Sequence, residues 1–186
     1  MAAMPPFEPK SFGPLVAELL QVERLPELGP GRPNKAAKSL LQSMSVERLF
    51  PGGIRDRNMA LACLAGLWLH HDFLHESHEI SQEIHTPTGS FWHGIMHRRE
   101  PDYGNAKYWF RRVGQHPVYL PLYEAVSTMS EAIPDGLNRA KWDPCVFVDL
   151  VERATGSGDD VENACRRIQL LEWQLLFAWC WEQAKK

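Results

Sequence analysis

With 186 residues, 44% hydrophobic and 23% charged, the chain has the length and composition of one globular domain that buries a core without disulfide or metal staples. A formal charge of −3 and a pI near 6.2 exclude a general electrostatic attraction to nucleic acid or to an anionic membrane surface. The opening MAAMPPFEPK has neither the basic nor the apolar region of a secretory signal, and the longest apolar run, Leu61 to Leu69, is too short to span a bilayer, so a cytoplasmic protein is expected.

Residues 1–34 hold seven of the fourteen prolines and read as an arm with one short helix through PLVAELLQVERL. The remainder, 35–186, reads as a helical domain. Asn34 is a candidate cap for a helix through KAAKSLLQSMSVERLF, ended by the PGG at Pro51 to Gly53. A long helix is predicted from about Asn58 to Ile84, apolar nearly all round in MALACLAGLWL and therefore central to the core. HTPTGS breaks it, Ser90 is positioned to cap FWHGIMHRRE, and Pro101 stops that helix. Asp102 then caps YGNAKYWFRRV, which Gly114 closes. Further helices are predicted at about 121–132, 144–154 and 160–184, the last with Trp173, Leu176, Phe177 and Cys180 at core spacing. No alternating run reads as a strand, so the fold class is all-α, a single-domain helical bundle with a Pro-rich N-terminal arm. Cys165 and Cys180 share one predicted helix, where fifteen residues put them roughly 22 Å apart. No CxxC spacing occurs, and the four cysteines read as reduced structural thiols.

Seven of the eight histidines fall between His70 and His97. At 100° per residue, His71, His75 and His78 lie within about 60° of one another on the predicted long helix. His93, His97 and Glu100 repeat the same +4, +3 spacing on the next one. A short connection makes the two helices antiparallel neighbours, which sets His78 and His97 at similar heights with His75 and His93 a turn away. Neutral imidazole is a common metal ligand, so His75, His78, His93 and His97 are the candidate ligands of one divalent transition ion, zinc foremost, with nickel, copper and iron as alternatives. His71 and His85 are left open. HDFLH has an aspartate where a zincin HExxH motif has glutamate. An HD-type phosphohydrolase needs a further histidine upstream of His70, and a di-iron bundle needs Glu-x-x-His repeats on separate helices; neither pattern is present.

In this reading the ion activates water, Glu79 or Glu100 is the catalytic base, and Arg98, Arg99, Lys107 and Tyr108 bind a small anionic substrate. The expected function is a metal-dependent hydrolase or lyase. The alternative is a non-enzymatic binding or interaction module in which the same histidines form a structural or ligand-binding polar network. No phosphate-binding glycine loop and no serine or cysteine nucleophile in a suitable context is found. Partners expected beyond the small molecule are neither nucleic acid nor membrane, and a homo-oligomer stays open. The block WHGIMHRREPDYGNAKYWFRRVGQHPVY resembles one in a family of uncharacterised hypothetical proteins of bacteria and fungi, over roughly residues 66–120; that resemblance implies no activity and no site residue.

Overall fold

The computed structural model describes residues 7–129, 137 and 141–185. They form an all-α fold: a single 3₁₀ turn at Pro9–Phe12, then α1 (Pro14–Leu19), α2 (Lys35–Gln42), α3 (Val46–Leu49), α4 (Arg57–His70), α5 (Leu74–Ser81), α6 (Pro87–Arg99), α7 (Tyr103–Val113), α8 (Tyr119–Ser127), α9 (Pro144–Ala154) and α10 (Asp160–Ala184). Among the described residues there is no strand, only one isolated antiparallel bridge between Ile54 and Lys185. Among the described residues, no helix is long and apolar enough to cross a membrane.

The core is built on α4, where Ala60, Ala62, Cys63, Ala65 and Leu67 are inaccessible to solvent. A helix apolar on every side must be surrounded, and α4 packs against α3, α5, α6 and α10. Gly66 allows the closest approach: a Cβ there would meet the Trp92 ring of α6 at 2.8 Å. Its carbonyl accepts a hydrogen bond from the Trp173 indole of α10 at 2.8 Å. The α10 aromatics continue outward, Phe12 standing edge-on to Phe177 and Trp181 at 5.2 and 5.5 Å. The proline-rich arm is thereby held on the long C-terminal helix. Arg166 and Gln169 of α10 also donate to the carbonyls of Leu25, Pro26 and Glu27, supplying partners to an extended backbone that lacks its own.

Several helix limits follow their caps. The Asp102 carboxylate accepts from Asn105 N–H, Asp143 from Cys145 and Val146 N–H, and Asp159 from Glu162 N–H, so α7, α9 and α10 begin as their sequences predict. Four expectations need correction. The helix predicted from Lys35 to Phe50 is two, because Ser45 caps α3 by accepting from Arg48 N–H at 3.3 Å; Asn34 directs its side chain to His71 instead of capping α2. The helix containing His93 starts at Pro87, capped by Thr86 through Gly89 N–H at 3.1 Å, and Ser90 lies inside it. The helix predicted at 121–132 begins at Tyr119 and closes after Ser127; residues 130–132 lie outside the described ones.

The fourth correction concerns the long helix predicted through Ile84, which ends at His70. Asp72 adopts φ 64°, the left-handed region that aspartate enters more readily than most residues. Tertiary charge holds it there. Arg24 Nη2 donates to Asp72 Oδ2 at 2.6 Å and Arg99 Nη2 to Oδ1 at 2.5 Å. Arg99 also donates to the carbonyls of Leu69 and Gly29. One carboxylate thus ends α4, redirects the chain into α5 and fastens the N-terminal arm.

Candidate metal centre

The break at Asp72 decides which histidines meet. As an independent helix, α5 turns Leu74, Ser77, His78 and Ser81 inward, the i, i+3, i+4, i+7 face, and Ser77 and Ser81 are buried. His75 and Glu79 fall on the opposite face. The His75 side chain is 79% exposed and pairs with Glu79 at 3.5 Å. Neither reaches the cluster, and their assignment as metal ligand and base is corrected on that ground.

His93 and His97, one turn apart on α6, meet His78 from α5. Nitrogen atoms of the three rings all lie within 4.8 Å of one another. Ring centroids are 4.7 Å apart for His78 and His93, 5.2 Å for His78 and His97, and 4.7 Å for the nearly parallel pair His93 and His97. His93 and His97 are buried and His78 is partly exposed. The site therefore has two fixed rings on a core helix and one at the surface.

The α7 helix forms the third wall. Gly94 permits this, since a Cβ there would meet the Phe110 ring at 3.2 Å. Asn105 and Trp109, one turn apart on α7, each engage one ring of α6. The Trp109 indole stacks on His93 at 4.0 Å with 15° between planes. The Asn105 amide nitrogen lies 3.1 Å from His97 Nε2, and Glu100 Oε2 lies 3.2 Å from His97 Nδ1. Arg112, a further turn along, sits with its guanidinium 5.3 Å from the Trp109 ring and 5.7 Å from Tyr108. Asn105 and Trp109 went unassigned in the sequence, although their i, i+4 spacing beside the histidine helix was available to be read.

Burial disfavours the charged form of the two α6 rings. Burial pushes the His93 pKa down to about 3, with His97 and His78 adding to the effect. Burial also lowers His97, and Glu100 opposes that shift. The neutral ring is the form that offers a lone pair to a metal. His93 Nδ1 and His97 Nδ1 are both buried with no hydrogen-bond partner among the described residues, a state that an ion would relieve.

The remaining candidates lie elsewhere. Arg98 is fully buried on a different face of α6, with Nη2 2.5 Å from Glu172 Oε2. Arg99 is committed to Asp72. The expectation that these two grip an anionic substrate is corrected: both cations belong to the core. Lys107 faces away from the site and pairs with Asp149 of α9. Tyr108 is 49% exposed next to Trp109, with Arg112 donating to its hydroxyl. His71 meets Asn34 at 3.0 Å and stands outside the cluster. His85 is exposed on the connection before α6. Comparison with protein-family models, with curated proteins and with solved structures found no match to this chain.

Proposed function

We propose that His78, His93 and His97 form a mononuclear transition-metal centre, zinc foremost, in a metal-dependent hydrolase or lyase. The observation that carries this is the convergence of three imidazole nitrogens within 4.8 Å, two of the rings having an orphaned buried Nδ1. Three histidines leave a fourth tetrahedral position open, as catalytic zinc sites do. His93 and His97 would hold the ion from the core helix and His78, partly exposed, from the short helix α5. A bound ion of this type lowers the pKa of water towards neutrality.

The chain's own residues supply the rest. His97 keeps Asn105 on Nε2 when Nδ1 holds the ion, a known way to orient a ligating ring, while Glu100 Oε2 stands 3.2 Å from Nδ1 without hydrogen-bonding it. Glu100, 39% exposed, is the carboxylate placed to take a proton at the site. Tyr108 and Arg112 replace Arg98 and Arg99 as the groups available to a small anionic substrate. The reading keeps the protein in the cytoplasm, which its four free cysteines support.

A second reading is favoured by one observation: Trp109, Asn105 and Glu100 already engage the α6 rings, as they would in a metal-free structural network. Elemental analysis of untagged protein, purified without chelator, separates the two. The metal reading expects close to one transition ion per chain, lost in His93→Ala. It also expects slow hydrolysis of a generic phosphate or carboxylate ester that chelation abolishes and Glu100→Gln reduces. Absence of bound metal after reconstitution with zinc, nickel, copper and iron overturns it.

A further inference from the structure

A ligating histidine is ordinarily oriented by a hydrogen bond on the nitrogen that does not hold the metal. His97 has such a partner in Asn105, 3.1 Å from its Nε2. His93 does not. Among the described residues nothing hydrogen-bonds its ring, and its Nδ1 is buried and orphaned. What touches the ring instead is the Trp109 indole, one turn after Asn105 on α7, with centroids 4.0 Å apart and 15° between planes. The His97 ring is also nearly parallel to it, at 4.7 Å and 19°. An imidazole lone pair lies in the plane of its ring, so whatever fixes that plane fixes the directions from which an ion can be met.

The indole is itself held in place. Close packing of α7 on α6 sets its height, since a Cβ on Gly94 would press on the neighbouring Phe110 ring at 3.2 Å. Tyr108 stands edge-on to Trp109 at 5.4 Å with 81° between planes. The Arg112 guanidinium lies 5.3 Å from the indole, within cation–π reach. Stacked aromatic pairs gain energy beyond the area they bury. An aliphatic side chain at position 109 would cover His93 without presenting a plane to it.

We propose that Trp109 is a positioning residue of the metal centre, its indole doing for His93 by stacking what the Asn105 amide does for His97 by hydrogen bonding. This rests on the reading of the three histidines as metal ligands. The α7 helix thus orients both α6 rings, from side chains one turn apart.

The test compares the full chain with Trp109→Phe, which keeps a planar ring, and Trp109→Leu, which does not. Zinc affinity is measured by competition with a chromophoric chelator. The histidine ring protons are followed by NMR in chelator, with His93 assigned through His93→Gln. Wild type and the phenylalanine variant should bind zinc within about threefold of each other, and the leucine variant about tenfold more weakly. The His93 ring signals should lie upfield of those of the exposed His75 and His85, keep that shift in Trp109→Phe and lose it in Trp109→Leu. Trp109→Met, unbranched and apolar, takes the place of the leucine variant if that one does not fold. Unchanged zinc affinity without the planar ring, or equal weakening in both variants, would overturn the positioning role and leave the metal centre standing. Wild type that binds no zinc while its His93 signals stay upfield would overturn the metal reading, and the positioning role with it.

Discussion

Arg98 carries a charge into the centre of the bundle, where its guanidinium lies 4.6 Å from the Phe147 ring and meets Glu172 on α10. Both side chains are fully buried. Burial pushes the Glu172 carboxyl pKa up while Arg98 pulls it down, and burial is the larger effect. A buried ion pair of this kind adds little net stability over an apolar pair, yet removing one partner strands the other. Glu172→Ala is expected to cost about 3–5 kcal/mol, measured by urea denaturation. The double variant Arg98→Met/Glu172→Leu should regain most of that loss; a double variant as unstable as the single would show that the pair itself is required. His116 provides the second residue-scale expectation. Burial lowers its pKa to about 4 from 6.5, so between those values the unfolded chain binds a proton that the native state does not. Its stabilising contribution is therefore complete above pH 6.5, declines as pH falls, and by pH 4 has dropped by about 3 kcal/mol. Denaturation curves in chelator across this range should show a steeper acid decline for wild type than for His116→Gln. Parallel declines would rule out His116 as a source of that pH dependence.

At the scale of elements, what was legible depended on how local the cause was. The α7, α9 and α10 helices each open on an aspartate whose carboxylate caps the first turn, and apolar periodicity fills the rest, so their limits could be read residue by residue. The end of α4 could not. HHDFLHE contains neither glycine nor proline, and the left-handed turn at Asp72 is held by Arg24 and Arg99, 48 and 27 positions away. That one break turned a predicted stripe of His71, His75 and His78 into a single inward histidine on α5. His93 and His97 stayed legible because both sit within one uninterrupted helix. Asp72→Ala should therefore act on an element beyond its own. It leaves Arg99 buried and unpaired, costing about 3–5 kcal/mol, and should speed amide hydrogen exchange across residues 24–34 relative to the rest of the chain. Uniform acceleration would argue that Asp72 does not specifically fasten the arm. Gly66→Ala tests the α4 to α6 contact: with a Cβ 2.8 Å from the Trp92 ring, overpacking should lower stability by about 1–3 kcal/mol.

For the whole molecule, the site is assembled from core helices and one short helix at its edge. The core helices α4, α6 and α10 fix His93 and His97, α7 backs them with Trp109 and Asn105, and the short α5 presents His78 at the surface. Helical periodicity without alternating runs made the all-α class legible. It left the cations ambiguous, since Arg98 and Arg99 read equally well as ligand groups or buried partners until helix packing assigned them to Glu172 and Asp72. The central claim is that His78, His93 and His97 bind an ion in the native state alone. Such an ion stabilises by RT ln(1 + [L]/Kd), about 2.7 kcal/mol at a hundredfold excess over Kd. A structural histidine has another signature, because its loss leaves partners unpaired and costs about 1–3 kcal/mol whether or not metal is present. The deciding measurement is the melting temperature of wild type, His78→Ala and His97→Ala, each in chelator and in excess zinc. The account predicts a zinc-dependent rise in wild type that both variants lose while remaining folded; no rise in wild type, with both variants destabilised equally in the two buffers, would contradict it.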